Sequence, residues 1–598
     1  MRRHVVRGLC GLALLAGLGF VALRARPPAL PTRSVRTIHL EPRTGRAELL
    51  GDGASTKLRA AVVDVPSVLS WPVDVPRGAK LETYFSFARG GPEDLQSLSC
   101  RARVEAGEGD GGTVLLEREV RPGPGWEAFE VDLSQQAGRS VVLRLDLACP
   151  GAPRVFPNAA RWSVPLLSTP RTEGERNVLL VSIDTLRADH LSAYGYPRAT
   201  SPQVDALSRR GLLFDRAETV QSATWPALTS LHTSLYPSAH GVVENGQPMP
   251  EGLPTLAELL RSQGFSTSAF ITNMTRGRHP GFSRLFLSRE GGQAAADRAA
   301  VEQAVAQLER ERERRFFMWV HLLSPHADYA PPAPYDAAFT QPGASSLHGG
   351  LEELAALRRR GAAISESDLA HVIGLYDGEV AFADELVGLL LSALVRNGLE
   401  KSTIVVLTAD HGEDLHEHNR YFFHSPSVYR SSMSIPLILA VPGVLPEGGR
   451  TSHPASLVDV APTILGVLGL PVPSSLQGHN LLPGGSLPPR PVRQMAFGET
   501  NGRIFTVRSP EWRFVYNPER VQPAAPGGVY PTAEAELYDE ERDPREALNL
   551  ASSRPGLVRA FTAEAVAFRS RIRRKGGLVP GPDAEAVEEL RALGYLQH

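Results

Sequence analysis

Two stretches of this chain are apolar without interruption and then turn abruptly acidic. "NVLLVSIDTLRADH" starts at Asn177 and "TIVVLTADHGED" at Thr403. A strand with one wet face alternates polar and apolar residues. An unbroken apolar run must be covered on both faces, which is the habit of parallel sheets. Between the two runs lie helical patterns, "SPQVDALSRRG", "LPTLAELLRSQG" and "AAADRAAVEQAVAQLERERER". Strand–helix alternation predicts a doubly wound α/β domain, here over residues 175–485. In such sheets ligands bind beyond the carboxyl ends of the strands. Asp184 and Asp410 stand at those ends, and His411 and Gly412 follow directly. One acid after a strand is more often a helix cap. Two acids and an imidazole brought to one edge can hold a hard or borderline divalent cation.

The flanking regions read differently. Residues 37–168 alternate apolar and polar side chains in short runs such as "WEAFEVDLS" and "SVVLRLDLAC", with Gly and Pro clusters between them. They predict an all-β sandwich, followed by a linker at "STPRTEGER". Beyond "GGSLPPRP", residues 490–598 read as a small α+β part and helical tail, with strands at "RIFTVRS" and "WRFVYN". The first 26 residues carry Arg2, Arg3 and Arg7 ahead of an apolar stretch from Leu9 to Leu23. This is the layout of a signal peptide or signal anchor, although the stretch is short of the roughly 20 residues of a full span. The expected location is outside the cytoplasm: periplasmic, cell-envelope or extracellular, with membrane anchoring left open.

Three cysteines exclude a Cys-rich metal site. Cys10 lies in the export segment. Cys100 and Cys149 share the β region, where an oxidising compartment would let them pair; two free buried thiols are the other reading. A net charge of −2 offers no strong pull toward nucleic acid or anionic membrane.

"QSATWPALTSLHTSLYPSAHG", residues 221–241, places Thr224 two residues before Pro226. Proline suits the first helical turn, so Thr224 reads most simply as an N-cap. Beside a cation and at a helix N-terminus, the same hydroxyl could instead attack an ester.

"NVLLVSIDTLRADHLSAYGY" resembles the opening signature of sulfatases in the alkaline-phosphatase superfamily. "TWPALTSLHTSLYPSAHGV" resembles their nucleophile segment, "HLLSPHADYAPP" their mid-domain histidine segment, and "TIVVLTADHGEDLHEHNRYFFHSPSVYRSSMSIPLIL" their metal segment with the histidine beyond it. "SLVDVAPTILGVLGL" and "AELYDEERDPREALNLA" resemble the closing signatures, and "LRALGYL" is seen in a bacterial branch. The resemblance implies an alkaline-phosphatase-like mixed sheet with one divalent ion held by Asp184, Thr224, Asp410 and His411. Histidine in that set favours manganese or zinc, with calcium the other choice. It gives Thr224 the nucleophile position. His326 and His424 take positions that hold ester oxygens or protonate the leaving group. Arg187 belongs to the opening motif without assigned chemistry. His416 and His418 are candidates for the pocket wall or for a solvated loop.

The chain also departs from the family. Sulfatases carry Cys or Ser in C-x-P-x-R, converted to formylglycine. Here the segment reads Thr224-Trp225-Pro226-Ala227-Leu228. Threonine cannot yield that aldehyde, and Leu228 replaces the arginine. Thr185 stands where a second Asp is usual, and Asn273 falls near a lysine position. Related branches with threonine act on phosphorus. The leading expectation is therefore an exported, metal-dependent ester hydrolase or transferase acting on phosphate diesters. One alternative is a sulfuric ester hydrolase that works without formylglycine. The other is a silent protein whose β-sandwich binds a glycan or envelope polymer.

Overall fold

The computed structural model describes residues 37–572, apart from 40–47, 52–55, 89–94, 96, 109–111, 124, 151, 153–154, 172, 273–281, 289–290, 361–363, 420, 522–530 and 532. The first 26 residues, expected to be a signal peptide or signal anchor, Asn273 and the terminal "LRALGYL" lie outside the described residues. No helix among the described residues is long and apolar enough to cross a membrane.

The N-terminal region is built of two facing layers. One is a four-stranded antiparallel sheet in the order Ser67–Asp74, Ser140–Ala148, Cys100–Gly107, Thr113–Val120. In Ser140–Ala148 the inward positions Val141, Leu143, Leu145 and Leu147 are buried, as alternation requires. They pack with Trp71, Phe85, Phe129 and Trp162 in one apolar cluster. Cys100 and Cys149 are joined by a disulfide, so the pairing alternative is the one realised.

The other layer includes strand β1 (Thr56–Val65) and does not end at the sandwich. The catalytic region supplies β2 (Asn177–Ile183), β3 (Ser266–Thr272), β4 (Arg284–Ser288), β5 (Phe316–Leu322) and β6 (Thr403–Ala409). These five are parallel, in the order β4-β3-β5-β2-β6. Every residue of β2, β3, β5 and β6 is buried, which explains the largely apolar sequences of β2, β5 and β6; β3 is buried although Ser266, Thr267, Ser268 and Thr272 are polar. Beyond β6, Leu437–Ala440 and then Leu212–Glu218 add antiparallel pairings, making the sheet mixed. At the opposite edge β4 pairs antiparallel with β1, Arg284 opposite Leu58. The edge that parallel winding leaves open is thereby closed by the N-terminal layer.

Helices α1 (Thr224–Thr233), α2 (Gln293–Arg310) and α3 (Glu366–Arg396) matter for the site. The C-terminal part is a separate four-stranded antiparallel sheet, Ala496–Thr500, Ile504–Arg508, Trp512–Tyr516 and Ala535–Asp539. The helix Pro555–Ile572 packs on it through Phe568 against Phe497 and Phe561 against Phe514.

Candidate active site

Register brings the acids together. Ile183 at the end of β2 lies level with Ala409 of β6 and Leu322 of β5. Asp184 and Asp410 therefore leave the sheet side by side, and the Asp184 amide still donates to Leu322 O at 2.9 Å. Asp410 Oδ1 accepts from the amides of His411 (2.7 Å) and Thr185 (3.3 Å). Its Oδ2 is buried with no hydrogen-bond partner among the described residues. Burial pushes the Asp410 carboxyl up, against the opposing pull of His411.

His411 Nδ1 lies 2.9 Å from Gly412 O. A carbonyl only accepts, so Nδ1 carries the proton and Nε2 presents its lone pair. That lone pair faces Asp184 Oδ1 at 3.8 Å and Asp410 Oδ2 at 3.6 Å. The turn needs glycine at 412, since a Cβ there would meet Ser431 O at 2.1 Å. One ligand atom from each of Asp184, Asp410 and His411 lies within 4.8 Å of the others, all three buried. Two carboxylates and an imidazole lone pair suit a divalent cation, and the unmet need of the buried Asp410 Oδ2 is one such an ion would meet.

Thr224 is not an N-cap. Ala223 takes the cap position, in extended conformation, and makes no side-chain cap bond. The Trp225 amide is satisfied instead by Asn245 Oδ1 at 2.9 Å. Thr224 is the first helical residue, fully buried, and its Oγ1 lies 3.3 Å from His411 Nε2. The expectation of a plain cap from spacing fails because Asn245, distant in sequence, does the capping.

His326 follows β5 on a loop clamped from two helices. Asp297 of α2 accepts from the Leu323 and Ser324 amides at 2.9 and 2.8 Å. Gln293 donates to His326 O at 2.9 Å, and Glu379 of α3 accepts from the Ala330 amide at 3.0 Å. His326 Nδ1 donates to Ala327 O at 2.6 Å. Burial, and then His424, push its pKa down to about 3, so the ring is neutral with Nε2 as acceptor. His424 packs between the other two histidines, its ring 4.4 Å from His411 and 5.2 Å from His326. Its Nδ1 lies 3.4 Å from the Glu413 carboxyl, which burial raises to about 7 against the pull of His326 and His411.

The remaining sequence candidates divide. Arg187 is buried and spent on structure, pairing with Asp189 and Glu417 at 2.8 Å each and donating to Glu413 O at 3.0 Å. Leu228 is a buried apolar residue. Thr185 holds a left-handed backbone, φ 53°, uncommon for a β-branched residue. Its carbonyl accepts from Tyr376 at 2.8 Å. His418 stacks on Tyr429 at 3.6 Å and pairs with Glu546 at 3.2 Å, while His416 packs against Tyr421. Both are engaged in packing. Glu413 and His321 enter the site although neither stood out by spacing. Glu413 is one more acid in "ADHGED", and His321 is an internal residue of an apolar strand.

Residues 176–470 match the family described as Sulfatase. Arylsulfatase K of Bos taurus is 29% identical over 203 residues, 32% of this chain and 35% of that protein. Arylsulfatase K of Gallus gallus is 23% identical over 454 residues, 66% of this chain and 82% of that protein. The chain thus aligns with about a third of the bovine relative and four fifths of the avian one. Among solved structures, the phosphonate monoester hydrolase of Agrobacterium radiobacter superposes with a TM-score of 0.55 at 23% identity, covering 67% of this chain and 96% of that one.

Proposed function

Because this chain belongs to the sulfatase family of the alkaline-phosphatase-like superfamily and is a sulfatase-like hydrolase, we propose that it cleaves phosphate diesters with Thr224 as nucleophile. The observation that carries this reading is the Thr224 hydroxyl, 3.3 Å from His411 Nε2 and free of any capping duty. Asp184, Asp410 and His411 would hold one divalent cation, with Thr224 at its side. The chemistry a bound cation supplies is charge neutralisation at the ester and a lowered pKa for a neighbouring hydroxyl.

The chain's own groups then divide the work. Thr224 Oγ1, having released its proton to water, forms the bond to phosphorus as the ester's alkoxide leaves with the bonding pair, giving a phospho-threonine. His424, backed by Glu413, is the group able to pass a proton to the departing oxygen. His326, neutral and with Nδ1 committed to Ala327 O, accepts hydrogen bonds through Nε2 and orients the incoming water or acceptor alcohol. Water or an acceptor alcohol resolves the phospho-threonine, and Thr224 recovers its proton. Export is part of the same reading, supported by the Arg-flanked apolar N-terminus and the Cys100–Cys149 disulfide. A glycan or envelope polymer on the β-sandwich would fit that setting.

The second reading is sulfate or phosphonate ester hydrolysis at the same site. It is favoured by the likeness to arylsulfatase K and to a phosphonate monoester hydrolase. One assay separates the two. Wild type, Thr224→Ala and Asp410→Ala are offered an aryl phosphodiester, phosphomonoester, phosphonate ester and sulfate ester, each with manganese, zinc or calcium. Fastest turnover is expected on the phosphodiester, lost in both variants. Full activity in Thr224→Ala would remove the nucleophile assignment. A faster aryl sulfate would select the second reading.

A further inference from the structure

A line of polar side chains runs beneath the acid pair, inside the sheet. The register of β2 and β5 sets Ser182 opposite His321, and both are fully buried. Trp319 Nε1 donates to Ser182 Oγ at 2.9 Å. Ser182 Oγ lies 2.9 Å from His321 Nδ1. On the other side of that ring, His321 Nε2 lies 3.9 Å from Asp184 Oδ2.

The chemistry of these groups gives the line a direction. An indole nitrogen donates and never accepts. It takes one of the two acceptor positions on Ser182; since a carboxylate only accepts, the Nε2 that faces Asp184 is the nitrogen that carries the proton, and the Ser182 hydroxyl proton then points onward at His321 Nδ1. An imidazole that accepts at Nδ1 carries its proton on Nε2, the nitrogen that faces Asp184. Trp319, Ser182 and His321 thus present a positive edge to one carboxylate oxygen. The other oxygen, Oδ1, faces the His411 lone pair at 3.8 Å. The two oxygens of Asp184 are divided, one toward the protein frame and one toward the site.

We propose that His321 is a positioning residue for the Asp184 carboxylate, and that Trp319 and Ser182 fix its tautomer so that Asp184 is held ready for a divalent cation. This rests on the reading of Asp184 as a cation ligand. Groups that orient metal-binding carboxylates and imidazoles typically change metal affinity 10- to 100-fold when removed. His321 is not itself placed among the ligand atoms that converge with Asp410 and His411. Its effect is therefore on how tightly the ion is held.

The test is metal affinity of the full chain, independent of turnover. Metal-stripped protein is titrated with Mn2+, following the free ion by electron paramagnetic resonance, and with Zn2+ by competition against a chelating dye. His321→Leu is expected to weaken binding by about 10- to 100-fold. His321→Gln, whose amide can donate from near the Nε2 position, is expected to recover most of that loss. Ser182→Ala, which frees the tautomer but keeps the ring, is expected to fall between wild type and His321→Leu. Thermal unfolding of the metal-free proteins reports folding separately. Wild-type affinity in His321→Leu would overturn the proposal, as would equal weakness in the Leu and Gln variants, which would reduce His321 to packing. A wild-type chain that takes up neither ion would instead sink the parent reading of the site.

Discussion

Two buried clusters of acids in this molecule are handled in opposite ways. Between Leu212–Glu218 and the C-terminal sheet, Glu218, Glu540 and Glu546 meet Arg430, Arg508 and Arg513. Arg508 and Arg513 reach Glu218 at 2.6 and 2.7 Å, Arg513 reaches Glu540 at 3.0 Å and Glu546 at 2.9 Å, and Arg430 reaches Glu540 at 2.7 Å. Against the cost of burial, Arg508, Arg513 and Arg430 hold the Glu540 carboxyl down to about 2. At the ends of β2 and β6, among the described residues, Asp410 has only His411 at 3.6 Å as an ion-pair partner and keeps one oxygen without a hydrogen bond. A buried charge must be matched. The first cluster is matched by the chain and locks the C-terminal sheet to the catalytic sheet. The second is left for a cation to match, which is the difference between a structural and a chemical use of the same residue type.

Glu379 is a third case. Its carboxyl is buried beside the His326 loop, and burial raises it to about 8, with Asp297 and Asp328 adding to the rise. It is matched by a proton.

The contrast can be broken from either side. The largest expected effect is on turnover. Asp410→Asn should lower it at least about a thousandfold, as loss of a group acting in a catalytic unit does, while the metal-free protein stays folded. A variant still active within tenfold, measured on the best ester, would contradict the assignment. Next is Arg513→Leu, which leaves Glu218 and Glu540 short of partners. It should cost about 3–5 kcal/mol of stability, read by urea denaturation, and a loss below 1 kcal/mol, well under that range, would show that the cluster is not holding the sheets together.

Metal removal is the third and should act on one cluster alone. Manganese at about 100 times its Kd is expected to stabilise wild type by about 2.7 kcal/mol over the metal-free form. Asp410→Asn should lose that gain, and Arg513→Leu should keep it on its lower baseline.

The last effect is a pH dependence and belongs to Glu379. Its folded pKa, about 8, lies above the ordinary 4.5, so the folded state holds the proton longer than the unfolded chain. Its contribution is fully present below about 4.5 and is lost as pH rises through about 8. Stability should therefore fall over that window with a slope of no more than about 1.4 kcal/mol per pH unit. Glu379→Gln should flatten it while still accepting from Ala330. An unchanged slope in that variant would assign the pH dependence to other groups.

Much of the centre was legible because it is local. Asp184, Asp410 and His411 sit where apolar runs stop, and strands buried on both faces, such as β2 and β6, read as largely apolar; β3, buried with Ser266, Thr267 and Ser268 in it, does not. The alternating runs of residues 37–168 became the sandwich for the same reason in reverse. Thr224 was legible as a position but not as a role, since only Asn245, folded against the start of α1, relieves it of capping. Glu413 and His321 were hidden differently. An acid in an acidic loop and a histidine in an apolar strand have no periodic signature, and each gains meaning only from what lies across from it.

What the sequence by itself determined is the set of strand ends and the residue types delivered there, because burial on both faces is written in composition along a single strand. The tertiary structure decided which of those ends meet. Register between β2, β5 and β6 levels Asp184 with Asp410 and sets Ser182 against His321. The pairing of β1 with β4 joins the N-terminal layer to the catalytic sheet. Pairing partners and register are long-range choices, made by whole sheets packing at once, and no single strand carries them.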